Sequence, residues 1–68
     1  MVEEQLIKAE ALRIAQEWIE NEEKLGGGEA IWIHIDNMNE AAERLGMEYD
    51  DLEGYVYEAI DEIEGGVE

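Results

Sequence analysis

The chain has 68 residues, twenty of them acidic against four basic, for a formal net charge of −16 at pH 7. That balance excludes direct nucleic-acid binding, which needs a basic patch to release counterions, and it disfavours anionic membrane surfaces. The absence of cysteine excludes disulfides and thiolate metal sites. No apolar run approaches the ~18 residues of a membrane span. An apolar content of 46% belongs to a folded chain rather than to a disordered acidic tail. A single small acidic domain over residues 1–68 is expected, near the size at which one core barely offsets chain entropy. The Met1–Ala11 start carries neither a basic n-region nor a cleavage pattern, which points to the cytoplasm.

Residues Val2–Lys24 read as one long helix. Ile7, Ala11, Ile14, Trp18 and Leu25 recur at helical spacings, with Leu12, Ala15 and Ile19 as an adjoining stripe. The resulting apolar face is wide enough to meet two neighbours, and Trp18 reads as a core anchor. Glu10, Arg13, Glu17 and Glu20 fall on the opposite, solvated side. Gly26-Gly27-Gly28 then ends the helix in a flexible turn. A phosphate-cradling loop would need a preceding strand, a following helix and usually a Lys. Glu29 follows instead, so the glycines read as a hinge and no cofactor is expected.

Residues 30–36, Ala-Ile-Trp-Ile-His-Ile-Asp, admit two readings. As a short strand, Ile31, Ile33 and Ile35 share one face and Trp32 and His34 the other, and the β-branched density favours this. As a helical segment, Ile31, Ile35, Met38, Ala42 and Leu45 also align, and Trp32 and Ile33 become an exposed contact patch. A lone strand leaves its backbone groups unpaired, so the first reading requires pairing with a second copy across a dimer axis or with a partner's sheet edge. Asn37 with Glu40 has capping-box spacing and predicts a short helix stopped at Gly46, with Met38, Ala41, Ala42 and Leu45 buried. Asp50 or Asp51 is expected to cap a last helix whose stripe is Leu52, Tyr55, Val56, Ala59, Ile60 and Ile63. Gly65-Gly66 closes that helix, and Val67-Glu68 is expected to fray. The fold expected is mainly α: a long N-terminal helix, one short strand or helical segment at 30–36, and a closing helix pair. The all-helical form of this reading is a three-helix bundle.

Ala41-Ala42-Glu43-Arg44-Leu45-Gly46-Met47, followed by Leu52 and Tyr55-Val56, resembles the helix-turn-helix unit of bacterial and phage regulators. Ala42, Gly46, Met47, Leu52 and Tyr55 match that unit in kind and spacing over residues 39–60. The resemblance implies a second helix that packs back on the first and presents its outer face to a partner. In the family that face reads DNA through Arg, Lys, Gln or Asn. Here it carries Glu48, Asp50, Asp51, Glu53, Gly54 and Tyr57, and no Lys or Arg follows Arg44. The resemblance thus implies the packing of the helix pair, and its DNA-reading half does not carry over to these residues.

No enzyme is expected. The chain has no Ser, Thr or Cys, its one histidine, His34, stands alone, and paired carboxylates on so acidic a surface discriminate nothing. Asp36, Asn37 and Asn39 do not meet EF-hand spacing, so no metal site is expected. The informative feature is a line of Asp50, Glu53, Tyr57, Asp61 and Glu64 at spacings of three and four, flanked by Glu58 and Glu62. Neighbours on it sit ~5–6 Å apart along a helix axis, on the order of the phosphate spacing of a nucleic-acid strand. No base supports these acids, and Asp61, Glu62 and Glu64 oppose the helix dipole. The expected partner is therefore a basic nucleic-acid-binding protein, met through Asp50, Glu53, Tyr57, Asp61, Glu64 and Glu58, with Tyr49 and Trp32 as further aromatic contacts. In size and charge the chain resembles small acidic phage inhibitors of the anti-restriction and anti-CRISPR type, which implies nucleic-acid mimicry. The alternatives are a dimerising adaptor or antitoxin-like module working through Ile31–Ile35, and halophilic adaptation.

Overall fold

A computed structural model describes residues 3–65 as three helices: α1 (Glu4–Leu25), α2 (Gly27–Leu45) and α3 (Tyr49–Gly65). The fold is the three-helix arrangement, and the described residues contain no strand. The first residue of the expected N-terminal helix, Val2, and the expected closing and fraying at Gly66, Val67 and Glu68 lie outside the described residues.

α1 is the central element and packs along both other helices, whereas α2 and α3 meet each other much less. Its two flanks give the directions. Glu10 and Glu17 of α1 face Arg44 and Asn37 of α2, so these two helices are antiparallel. Tyr55 of α3 lies beside Glu4, and Ile63 lies beside Gln16 and Ile19, so α3 runs with α1. The body is flat, 35 × 30 × 15 Å. Its core is built from Ala11, Ile14 and Ala15 of α1, Met38, Ala41 and Ala42 of α2, and Leu52, Val56 and Ala59 of α3. Five of these nine residues are alanines, which lets the helix axes approach closely. The large side chains sealed from solvent are Ile14, Met38, Leu52 and Val56.

The strand expected at residues 30–36 is corrected to helix. These residues are the second and third turns of α2, whose axis runs unbroken from the glycine corner to Leu45. A helix pairs every backbone group internally, whereas a single strand here would have had none to pair with. Burial of Ala30, Met38, Ala41 and Ala42 against the other helices overrides the local β-branched preference. The capping box at Asn37 is corrected for the same reason. Asn37 lies mid-helix, and its Nδ2 donates across the interface to Glu17 Oε1 at 3.4 Å.

The corners are glycines of two kinds. Gly26 serves both α1 and α2, with φ 83° and ψ 160°, so the expected three-residue hinge is one residue, and Gly27 and Gly28 already belong to α2. Gly46 stops α2 in the left-handed conformation at φ 70°, its N–H returning to Ala42 and Glu43 carbonyls. Met47 N–H adds a 3.0 Å bond to the Ala42 carbonyl, which completes the expected stop. α3 then begins at Tyr49, earlier than the expected cap at Asp50 or Asp51. Both aspartates stand in its first turn, where a negative charge is favoured by the helix dipole.

Candidate functional site

The α3 stripe of Leu52, Val56 and Ala59 turns inward, and this fixes which side chains turn out. Asp50, Tyr57, Glu58, Asp61 and Glu64 are exposed, Tyr57 at 61%. Glu53 is half-buried at the edge of the line. Tyr49 is drawn inward against the core, where burial first, then the nearby Glu53, Tyr57 and Asp50, push its phenol above the usual tyrosine range. Tyr57 is thus the more exposed aromatic side chain of the acidic face, and Tyr49 is partly buried against the core. No basic residue stands in the last turn of α3, so Asp61, Glu62 and Glu64 oppose the dipole unaided.

The four bases are occupied elsewhere. Lys8 lies 3.8 Å from Glu4, and Lys24 lies 3.4 Å from Glu20. Arg13 bridges Glu10 at 2.6 Å and Glu17 at 2.9 Å. Arg44 bridges Glu10 at 2.5 Å and Glu40 at 3.8 Å. Glu10, expected on the solvated side of α1, instead joins α1 to α2 through Arg44. The hydrogen bond from Arg13, opposed by partial burial and helped by Arg44, holds its carboxyl below the usual range. None of these cations is within ion-pair distance of an α3 carboxylate, although Lys8 shares the α1–α3 groove with Glu58, Asp61 and Glu62.

Gly54 sits within that face, three or four residues from Asp50, Asp51, Tyr57 and Glu58. Its backbone is helical, not left-handed, and a Cβ built there meets nothing within 4 Å. Neither conformation nor internal packing requires a glycine. It leaves a bare stretch of helix backbone among carboxylates, a feature the sequence names only as an exposed position.

A shallow groove of about 460 Å³ separates α1 from α3. Its α3 wall carries Glu58, Asp61 and Glu62, and Leu12 and Ala9 form part of its apolar floor. Lys8 of α1 and Tyr55 of α3 line it as well. Among the described residues, no three His, Asp or Glu side chains converge as a metal site needs.

His34 lies on the opposite side of α2 from Trp32. Its ring meets Trp18 at a centroid distance of 4.9 Å and a tilt of 47°. Its Nδ1 is buried without a hydrogen-bond partner. Burial lowers the imidazole pKa, and the Glu53 carboxylate partly offsets this. Trp18 is therefore half-buried against a histidine, whereas Trp32 is 69% exposed, as the helical phase of residues 30–36 requires. Around the glycine corner Leu25, Ile31 and Ile33 are also exposed, at 45%, 38% and 37%. Leu25 and Ile31 both fall on apolar stripes in the sequence. They stay exposed because α1 ends and α2 begins beside them, and the adjacent Gly26-Gly27-Gly28 is the signal that marks such an end.

No family model, curated protein or solved structure matches this chain.

Proposed function

We propose that this chain is an acidic protein-binding inhibitor or regulator that occupies a basic nucleic-acid-binding surface of its partner, in the manner of a phage anti-defence protein. One observation carries the reading. α3 presents Asp50, Glu53, Tyr57, Asp61 and Glu64 with no base among them, while all four basic side chains of the chain bind carboxylates elsewhere. An uncompensated carboxylate row at near-phosphate spacing meets a lysine- and arginine-lined groove with matched charge, and the field steers the encounter at low salt. Gly54 supports the reading, because a bare backbone lets a partner side chain come close to the helix axis. Tyr57 supplies an aromatic contact inside the charged area.

The test is affinity capture from a cytosolic extract at low salt with elution by a salt gradient. Nucleic-acid-handling proteins are expected to bind, to elute early, and to be displaced by added duplex DNA or RNA. Neutralising three acids together, E53Q/D61N/E64Q, is expected to weaken the isolated complex at least ~10-fold. Affinity that is equal at low and high salt, or that survives the triple variant, would rule the reading out. A second reading, a dimerising adaptor acting through Ile31–Ile35, draws on the exposed Ile31, Trp32 and Ile33. Its strand-pairing form is gone, since these residues are helical.

A further inference from the structure

We infer that the apolar corner formed by Leu25, Ile31, Trp32 and Ile33 is a docking site for a partner segment that is both apolar and basic, and not for a second copy of this chain. Four of the seven large hydrophobics exposed among the described residues gather within nine residues of sequence around Gly26. Trp32, at 69%, is more exposed than any of the others. Clustering of this kind at a tight corner, with tryptophan at its centre, is the composition of a binding hot spot rather than of scattered surface residues.

Charge selects the occupant. Glu22, Glu23 and Glu29 flank the corner and are exposed, as is Asp36 one turn beyond Trp32. The nearest base, Lys24, is turned to Glu20. A second copy would bring another −16 against this rim, and each of its cations is already within 4 Å of its own carboxylates. Self-association therefore adds repulsion, with every Lys and Arg side chain already beside a carboxylate of its own chain. A foreign segment with aliphatic side chains flanked by Lys or Arg buries the same apolar area and neutralises the rim. The corner also adjoins the acidic face. Ile63 and Glu23 line the same shallow depression, so the Asp61–Glu64 end of α3 lies toward the end of the molecule that holds the last turn of α1. One basic partner can reach both. The inference rests on the proposed basic partner for its charge and on the corner for its apolar part.

The probes are an amphipathic Leu/Lys helix and oligolysine of equal charge, titrated calorimetrically into the full chain at low and physiological salt. The Leu/Lys peptide is expected to bind about tenfold more tightly than oligolysine, with a blue shift of tryptophan emission. Trp32→Ala is expected to abolish both the margin and the shift. The control Leu12→Ala, at an exposed residue on the α1–α3 groove, is expected to leave them intact. Equal affinity of the two peptides, or a margin that survives Trp32→Ala, would overturn the inference while leaving the basic partner standing. Failure of both peptides to bind at low salt would overturn the basic partner as well. A concentration-dependent dimer in sedimentation that Trp32→Ala abolishes would give the corner to a second copy and refute the assignment.

Discussion

His34 half-buries an ionisable ring in an acidic molecule and leaves its Nδ1 shielded from solvent without a hydrogen-bond partner. The groups that face it are the Trp18 ring from α1 and the Glu53 carboxylate from α3. Burial outweighs that carboxylate, so the folded-state pKa lies below the ordinary 6.5. Above 6.5 the ring is neutral in both states and its contribution is fully present. As pH falls through 6.5 the unfolded chain takes a proton that the folded chain refuses, and stability is lost until the folded pKa is reached. The urea midpoint of the wild type is thus expected to drop as pH falls through the ordinary histidine range near 6.5, above the range where most carboxylates titrate. His34→Leu should flatten that decline and raise stability at pH 7 by about 1 kcal/mol, because it also removes an unpaired buried acceptor. A variant whose midpoint declines as steeply as the wild type would disprove it. The glycines of the first corner divide in the same residue-by-residue way. Gly26, at φ 83° and ψ 160°, occupies a region that other residues rarely enter, so Gly26→Ala should cost about 1–3 kcal/mol. Gly28 is helical with open space around it, so Gly28→Ala should add about 0.4–1 kcal/mol. Chemical denaturation of the pair checks the contrast in sign.

At the scale of the element, α2 shows how far the sequence can be read and where it divides. Residues 30–36 satisfy two periods at once: alternate isoleucines at period two, and Ile31, Ile35, Met38, Ala42 and Leu45 at the helical period. Local propensity favours the first. The structure adopts the second because only the longer pattern continues into buried Met38, Ala41 and Ala42, and because no other segment could pair with a strand. The requirement that a lone strand find a partner was legible in the sequence, but there it led to an expected dimer or partner sheet edge rather than to the helix that the structure shows. The cross-helix tie from Arg44 to Glu10 was not legible, because an exposed acid at helical spacing looks the same whether or not another helix approaches it. α3 was the most readable element, since its stripe fits one period only; of the acidic line, Asp50, Tyr57, Asp61 and Glu64 are exposed, Glu53 is half-buried, and Asp61 lines the α1–α3 groove. Gly54 gives that helix its own prediction. Gly54→Ala meets no neighbour, so it should stabilise the fold by about 0.5–1 kcal/mol. The proposed role of α3 requires the same change to weaken partner binding by crowding the bare backbone. Gains in both stability and affinity would remove Gly54 from the interface.

The whole molecule holds a formal charge of −16 within a body of 35 × 30 × 15 Å. At about 0.01 M salt the screening length is ~30 Å, so every carboxylate interacts with nearly every other. At about 0.1 M it is ~10 Å, and only neighbours still repel. Against this stand, among the described residues, six ion pairs, mostly exposed. Exposed pairs of this kind contribute little and weaken under the same screening. The repulsive sum is long-ranged and the attractive one is local, so added salt removes more of the former. The thermal midpoint is therefore expected to rise with sodium chloride, on the order of 5 °C or more between 0.01 and 0.5 M, since a small domain gains ~4–8 °C per kcal/mol. Scanning calorimetry across that series checks it. A midpoint that falls with salt would mean that the Glu10–Arg13–Arg44 network outweighs the acidic field. The same stored repulsion bears on function: a basic partner relieves it on binding, so complex formation should stabilise the chain most at the low salt where the free chain is weakest.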